Sequence, residues 1–175
     1  MNQPGKPLTD EQQFCLEGCR SYPQYYKMRT DFESGYCTFC SLDRELNHVL
    51  WEDEHVVLWH VPLEFMRTGL AQHWLIAPKR HVRFESDLSI EEYVSVFMAK
   101  KVAYELFDYR GGLTHVREGD MRLNSGTVPH LHYNTFVPSQ SAEVHIPVFK
   151  DPKSRTENQA RAAEFSVRYE SGEKP

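Results

Sequence analysis

The sequence predicts an α+β protein with an antiparallel sheet of about five strands and one long helix packed on it. Short runs that are apolar or that alternate polar and apolar residues follow one another along the chain, separated by turn-forming residues. This succession is typical of strands joined as hairpins. A longer segment with helical periodicity separates the third run from the fourth, and an antiparallel sheet with a segregated helix accommodates that order.

The composition is that of a folded chain. The protein has 175 residues, 40% of them hydrophobic, and a formal net charge of -5. No apolar run approaches the roughly 20 residues of a membrane span, and Met1–Pro7 lacks the apolar core of a signal peptide. The negative charge argues against nucleic acid or anionic membrane as a partner. We therefore expect a cytoplasmic protein.

In the first half of the chain, local signals predict a helix and three strands. Thr9-Asp-Glu-Gln12 has the form of a capping box and opens a short helix to about Cys19. The following residues, 22–35, have the character of a connector. Strands are predicted at 49–53, 55–61 and 72–78, and the last of these is apolar enough to be central in the sheet.

A second capping box, Ser89-Ile-Glu-Glu92, opens the longest predicted helix, which runs to about Phe107 and carries a broad apolar stripe. Two more strands are predicted at 121–123 and 130–137. Residues 144–149 are predicted to be an edge segment, because Pro147 cannot donate to a central strand. A final helix is predicted from Thr156 to about Tyr169.

These elements divide the chain into three predicted parts. Residues 1–35 form an N-terminal helical extension, residues 36–150 form the domain that contains the sheet, and residues 151–175 form a C-terminal helix and tail. A domain of this size can bury a core of its own.

The most informative stretch is the strand around His130-Leu-His132-Tyr-Asn134. Residues two apart in a strand share a face, so His130, His132 and Asn134 point one way. Packing alone does not call for imidazoles on a strand face. These three residues are therefore the candidate catalytic residues.

His132 is the candidate nucleophile, because a neutral imidazole attacks phosphorus well when a hydrogen bond holds its other nitrogen. A tight turn precedes the strand, and its amides and hydroxyls can hold phosphate oxygens. The candidate substrate-binding residues of this turn are Asn124, Ser125, Gly126 and Thr127. Lys79 can add positive charge.

The four cysteines form two close pairs, Cys15 with Cys19 and Cys37 with Cys40. The C-x-x-C spacing of the second pair lets both thiolates reach one tetrahedral zinc ion. Two completions of that site are open. The first pair can close a four-thiolate site, or His81 and His130 can supply two imidazoles.

Three motifs together resemble those of the histidine-triad (HIT) superfamily of nucleotidyl hydrolases and transferases, over about residues 36–138. The motifs are Cys37-Thr-Phe-Cys40, His73-Trp-Leu-Ile-Ala-Pro-Lys-Arg-His81 and Thr127-Val-Pro-His130-Leu-His132. The resemblance implies a dimer that forms through the long helix. It also implies a covalent nucleotidyl intermediate on His132. The implied structural zinc site consists of Cys37, Cys40, His81 and His130.

The departures from the family pattern refine the expected reaction. The third position of the triad is Asn134, where the family's transferase branch has an amide as well, and Pro129 precedes the first histidine as in that branch. An amide cannot act as a general acid, which favours a second acceptor over water. His60 stands where many members have an acidic residue that holds the ribose, so it is a further candidate substrate-binding residue.

The leading hypothesis is a nucleotidyltransferase or phosphorylase that acts on a nucleoside phosphate ester. Two alternatives remain open: a hydrolase of phosphoester or phosphoramidate bonds, and a non-catalytic nucleotide-binding module. In each case the expected partners are a nucleotide or other phosphate-bearing small molecule and a second copy of the chain.

Overall fold

A computed structural model describes residues 7–124, 126–139, 144–146 and 152–175. Two compact units divide the chain. The first unit comprises residues 1–41, 120–129 and 147–175, and the second comprises residues 42–119 and 130–146. None of the helices in the described ranges has the length and apolar content needed to cross a membrane. The three-part division at residues 35 and 150 stays a prediction.

The helices and strands follow one another in an order close to the predicted one. In chain order they are α1 (Asp10–Glu17), α2 (Tyr22–Glu33), β1 (His48–Glu52), β2 (Val56–His60), β3 (Leu70–Pro78), α3 (Ile90–Leu106), β4 (Leu113–Arg117), α4 (Met121–Asn124), β5 (His132–Pro138) and α5 (Pro152–Glu170). Short 3₁₀ helices lie at Leu63–Phe65 and Glu85–Asp87.

The second unit contains the sheet. Its five strands are ordered β1-β2-β3-β5-β4, and every neighbouring pair is antiparallel. The predicted α+β class, with a five-stranded antiparallel sheet and one long helix, is confirmed. Central strand β3 is buried from His73 to Pro78, as expected for an apolar strand paired on both sides.

Helix α3 packs on one face of this sheet through small side chains. Val96, Ala99 and Ala103 are buried against strand residues such as Trp74 and Ile76. Small residues on the contact side let the helix axis approach the sheet closely. The broad apolar stripe predicted from the sequence lies mostly on the other sides of the helix.

The start of α3 is tied down as the capping box predicts. The Ser89 hydroxyl accepts from the backbone N–H of Glu92, and the Glu92 carboxylate accepts from the Ser89 N–H. Arg80, just after β3, donates to both carboxylate oxygens of Glu92 at 2.9 and 2.7 Å. This bidentate pair connects the end of the central strand to the first turn of the helix.

The first unit is helical, and its core is rich in aromatic and sulfur-containing side chains. Helix α1 begins at the predicted capping box, where the Thr9 side chain accepts from the Gln12 N–H. The buried core includes Leu16, Tyr25, Met28 and Phe165. The predicted C-terminal helix is present as α5, and it begins before the predicted position.

The connector predicted at residues 22–35 is wrong, because most of this segment is helix α2. The Ser21 side chain caps it by accepting from the Gln24 N–H, and Pro23 occupies the first turn, where its missing N–H costs nothing. Its buried residues include Tyr22, Tyr25 and Phe32, which are spaced for one side of a helix. Tertiary burial of these aromatics outweighs their modest helix propensity.

The strand predicted at residues 121–123 is also wrong. These residues form the one-turn helix α4, where Asp120 accepts from the Arg122 N–H and the Glu11 carboxylate accepts from the Met121 N–H. The strand that pairs with β5 on the side away from β3 is instead β4, at Leu113–Arg117. Of the predicted edge segment 144–149, residues 144–146 have no regular structure and 147–149 lie outside the described residues.

Candidate active site

The face of the sheet opposite α3 gathers polar and ionisable side chains. Tyr133 of β5 packs in the core under α3, so the alternate residues of β5 point to the opposite side. The register of β5 with its neighbours places β3 and β4 residues on that side. We call it the polar face, and it is defined by His73, His115, Arg117, His132 and Asn134.

His132 is held as a neutral ring. Its Nδ1–H donates to the backbone carbonyl of His130 at 2.6 Å, because a carbonyl oxygen can only accept. The lone pair of the neutral ring is therefore on Nε2. Burial lowers the pKa of His132 to about 3, although the hydrogen bond to His130 acts in the opposite direction. This state is the one that a nucleophilic imidazole requires.

Asn134 presents a buried amide beside His132. Its Oδ1 accepts from Nε2–H of His73 at 3.1 Å, and the asparagine side chain is 7% exposed. Its Nδ2 is buried and has no hydrogen-bond partner within the described ranges. An unsatisfied buried donor costs about 1–3 kcal/mol, so this amide has a reason to bind a ligand oxygen.

Strand β4 adds two residues that the sequence analysis did not identify. His115 lies directly opposite Asn134, and Arg117 lies directly opposite His132. The pKa of His115 is lowered to about 4. Burial is the largest cause, and the positive charges of Arg117 and Arg67 lower the pKa further. The run Leu113-Thr-His-Val-Arg117 contains two β-branched residues and follows Gly111-Gly112, and these were the available signals of a strand in the sequence.

Two predicted substrate-binding residues of this unit lie elsewhere on the sheet. His60 pairs across the sheet with Trp74, which belongs to the core under α3. The ring centroid of His60 lies 6.1 Å from that of Phe107. It therefore lies on the face opposite His132. The Lys79 ammonium forms an ion pair with Glu52 at 2.7 Å, next to the end of β1.

The predicted phosphate-binding turn belongs to the first unit. The Gly126 N–H donates to Asn124 Oδ1 at 2.8 Å, and a Cβ on Gly126 would overlap the Met121 sulfur. A larger residue at this position would therefore force the buried Met121 side chain to move. Thr127 is half-buried, and Ser125 lies outside the described residues.

The candidate thiol ligands lie in the first unit. Partial desolvation and the neighbouring Cys37 thiol raise the pKa of Cys40 to about 12. A cation bound by the thiols of Cys37 and Cys40 would lower the pKa of Cys40, because a cation stabilises thiolates. Cys15 and Cys19 are instead buried in the apolar core, with Cys19 Sγ 3.5 Å from Met28 Sδ. No group of three or more metal-ligating side chains in the described ranges includes either of them.

The candidate imidazole ligands lie in the second unit. The rings of His81 and His130 have centroids 5.0 Å apart. Nε2–H of His130 donates to the Pro78 carbonyl at 2.9 Å, which leaves Nδ1 as the unprotonated nitrogen that can bind a cation. A ligating histidine commonly donates its other N–H to such a carbonyl. Burial lowers the pKa of both rings, to about 4 in His130, and so favours their neutral form.

No protein-family model and no curated protein matches the sequence. Solved structures do resemble it. A HIT family protein from Bacillus anthracis is 23% identical with a TM-score of 0.49, over 76% of this chain and 96% of that one. A HIT family hydrolase from Clostridium thermocellum is 23% identical with a TM-score of 0.46, over 63% and 96% of the two chains.

A zinc-bound histidine triad family protein from Mycobacterium smegmatis is 20% identical with a TM-score of 0.43, over 77% of this chain and 98% of that one. These three structures are thus of the family that the sequence motifs resemble. Because all three TM-scores are below 0.5 and all identities are below 25%, the function of this chain has to be argued from its own residues.

Proposed function

We propose that this chain is a histidine-triad enzyme that transfers a nucleotidyl group through a covalent intermediate on His132. The observation that carries the proposal is the state of His132. Its ring is neutral, its Nδ1–H is bound to the His130 carbonyl, and its lone pair is on Nε2. Asn134, on the same face of β5, supplies a buried amide donor.

The first step is an attack by His132 Nε2 on the α-phosphorus of a nucleotide. A P–N bond forms as the P–O bond to the leaving group breaks, and the leaving oxygen takes the electron pair. The Asn134 amide can donate a hydrogen bond to that oxygen but has no proton to give up. A leaving group of low basicity, such as a phosphate, suits this arrangement. An acceptor oxygen then displaces the imidazole and restores His132.

Trapping of the intermediate tests this function. We expect incubation with an α-³²P-labelled nucleoside diphosphate derivative to label the wild-type protein and to leave His132→Ala unlabelled, because the nucleophile has been removed. His48→Ala is the matched control, since His48 is exposed on β1, and it should label as the wild type does. The readout is acid-quenched protein-bound radioactivity.

Other outcomes distinguish the alternatives. Steady turnover of a nucleoside phosphoramidate without an added acceptor would indicate the hydrolase. Thermal stabilisation by nucleotide, retained in His132→Ala and without label in any variant, would indicate a binding module and would refute the covalent mechanism.

We propose that the chain also binds one structural zinc ion. The donor set of two thiols and two imidazoles fits tetrahedral zinc, and each residue offers one ligand atom. The proposed ligands are the residues that the sequence motifs indicate, Cys37, Cys40, His81 and His130. When bound, the ion would stabilise the thiolates and cross-link segments that are far apart in the sequence.

We further propose that the protein is a homodimer that forms through the outer side of α3. This side is strongly apolar: Ile90 is 79% exposed, Phe97 66% and Val94 55%. Exposed apolar area of this kind is typical of a protein interface. A second copy presents the same helix, so the contact can be self-complementary.

A charged residue introduced on the outer side of α3 tests the proposed dimer. We expect Phe97→Glu to shift the protein from dimer to monomer in analytical ultracentrifugation, since burying an unpaired carboxylate is costly. Val167→Glu, at a residue of α5 that is 69% exposed, is the matched control and should leave the mass unchanged. A wild-type monomer at tens of micromolar protein would contradict the proposal.

A further inference from the structure

The imidazole of His115 lies on the polar face without a hydrogen bond. Both of its ring nitrogens are buried and have no hydrogen-bond partner in the described part of the chain. His115 pairs directly with Asn134 across β4 and β5, and its ring centroid lies 4.9 Å from that of Phe136. Directly opposite residues of an antiparallel pair have Cβ atoms about 4.5–5.5 Å apart. The imidazole of His115 is therefore a neighbour of the Asn134 amide.

The Asn134 amide is held in one orientation. His73 also packs on Phe136, with ring centroids 4.5 Å apart, and its Nε2–H donates to Asn134 Oδ1 at 3.1 Å. This bond leaves the amide nitrogen, Nδ2, as the end that has no partner within the described ranges. Asn134 is 7% exposed, so this donor is buried. Two neighbouring side chains thus present unsatisfied polar atoms on the face that carries His132.

These unsatisfied atoms match a hydroxyl group. Burial and the positive charges of Arg117 and Arg67 keep His115 neutral at pH 7, so one ring nitrogen donates and the other accepts. An O–H group can donate to the accepting nitrogen while its oxygen accepts from Asn134 Nδ2. A phosphate dianion offers acceptors alone and would leave the lone pair of that nitrogen unsatisfied.

The second step of the proposed reaction requires a base when the acceptor is an O–H group. After the first step, Nε2 of His132 is part of the P–N bond, and its Nδ1–H is bound to the His130 carbonyl. His132 therefore cannot take the proton of the acceptor. The Asn134 amide cannot take it either, because an amide is not a base at this pH. The lone pair of the neutral His115 ring can.

We propose that His115 is a catalytic residue that binds the hydroxyl group of the acceptor and takes its proton. The proposal deepens the proposed function and rests on it for one point, that His132 carries the nucleotidyl group. The acceptor oxygen forms a P–O bond while its proton moves to the unprotonated nitrogen of His115. The P–N bond breaks, and its electron pair returns to His132 Nε2. His115 then releases the proton to solvent.

This role also specifies the class of acceptor. The O–H group belongs to an alcohol or to water, because in both the attacking oxygen carries a proton that must be removed. A phosphate dianion attacks without loss of a proton and gains nothing from a base at His115. The polar face therefore favours a hydroxyl acceptor over the phosphate acceptor of a phosphorylase.

Discharge of the labelled intermediate tests the role of His115. Wild type and His115→Gln are labelled with an α-³²P nucleoside diphosphate, freed of excess nucleotide, and mixed with buffer alone, glycerol or inorganic phosphate. We expect His115→Gln to slow the loss of label in buffer and in glycerol about a hundredfold, a usual contribution of a general base. Discharge by inorganic phosphate reverses the first step through an anion, so its rate should equal that of the wild type.

His48→Gln is the matched control, because His48 is exposed on β1, and it should discharge as the wild type does. The products distinguish the two O–H sources: a glycerol ester of the nucleotide indicates an alcohol, and nucleoside monophosphate alone indicates water. Wild-type discharge rates in His115→Gln would overturn the proposal. Equal slowing with buffer, glycerol and phosphate would overturn it as well, because it would indicate a structural role.

Urea denaturation separates this proposal from the proposed function. His115→Leu replaces two unsatisfied nitrogens by an apolar side chain of similar volume, so we expect a higher urea midpoint than in the wild type. His73→Leu removes the hydrogen bond to Asn134 and should lower the midpoint. A lower midpoint in His115→Leu would contradict the proposal, since the ring would then serve the fold. If no nucleotide labels the protein, the covalent mechanism is refuted, and the midpoint alone decides whether His115 is kept for a ligand.

Discussion

Purified His81→Ala protein is expected to contain almost no zinc, whereas the wild type should contain about one equivalent per chain. Loss of one of four ligands leaves an open coordination position and weakens a structural zinc site severely. His81 is the preferred position because it is exposed, so its replacement disturbs packing less than replacement of the fully buried His130. The measurement is elemental analysis after dialysis against a weak chelator.

Cys15→Ala provides the control within the same experiment. Cys15 is completely buried in the core of the helical unit, and no metal-ligating group in the described ranges includes it. The variant should therefore keep its zinc. If zinc is lost in Cys15→Ala and kept in His81→Ala, the ion belongs to a four-thiolate site. That result would refute the ligand set of two cysteines and two histidines.

The second large effect concerns the core beneath α3. Trp74 is fully buried on β3, and its ring stacks on that of Phe107 with centroids 4.9 Å apart and an interplanar angle of 8°. Trp74→Ala should lower the free energy of unfolding by about 3–5 kcal/mol, because it removes a large aromatic side chain and leaves a cavity. Urea denaturation followed by circular dichroism measures the loss.

Two comparisons sharpen this prediction. Trp74 Nε1 is buried without a hydrogen-bond partner in the described part of the chain, so Trp74→Phe keeps an aromatic ring and removes an unsatisfied donor. It should cost much less than alanine. Leu113→Ala, on β4 and 51% exposed, should change stability by only about 0.5 kcal/mol. A loss in Trp74→Ala no larger than in Leu113→Ala would contradict the assignment of this core.

Much of the fold could be predicted from local sequence because its signals are local. A capping box joins residues three apart in the chain, so those at Thr9 and Ser89 were visible without any structure. The period of two in His132-Tyr-Asn134 likewise showed that His132 and Asn134 share a face. Helix α2 was missed because its aromatic residues form helices readily only when a core buries them.

Tertiary contacts set which strands lie beside β5 and which side of α3 meets the sheet. Strand register is set by contacts between distant segments, and it placed His115 and Arg117 opposite Asn134 and His132. It also placed His60 on the other face. The strand motif and its candidate nucleophile could be predicted from local sequence. The charged residues around that nucleophile are brought there by strand pairing across the sheet. Local sequence patterns do not show which distant strands pair.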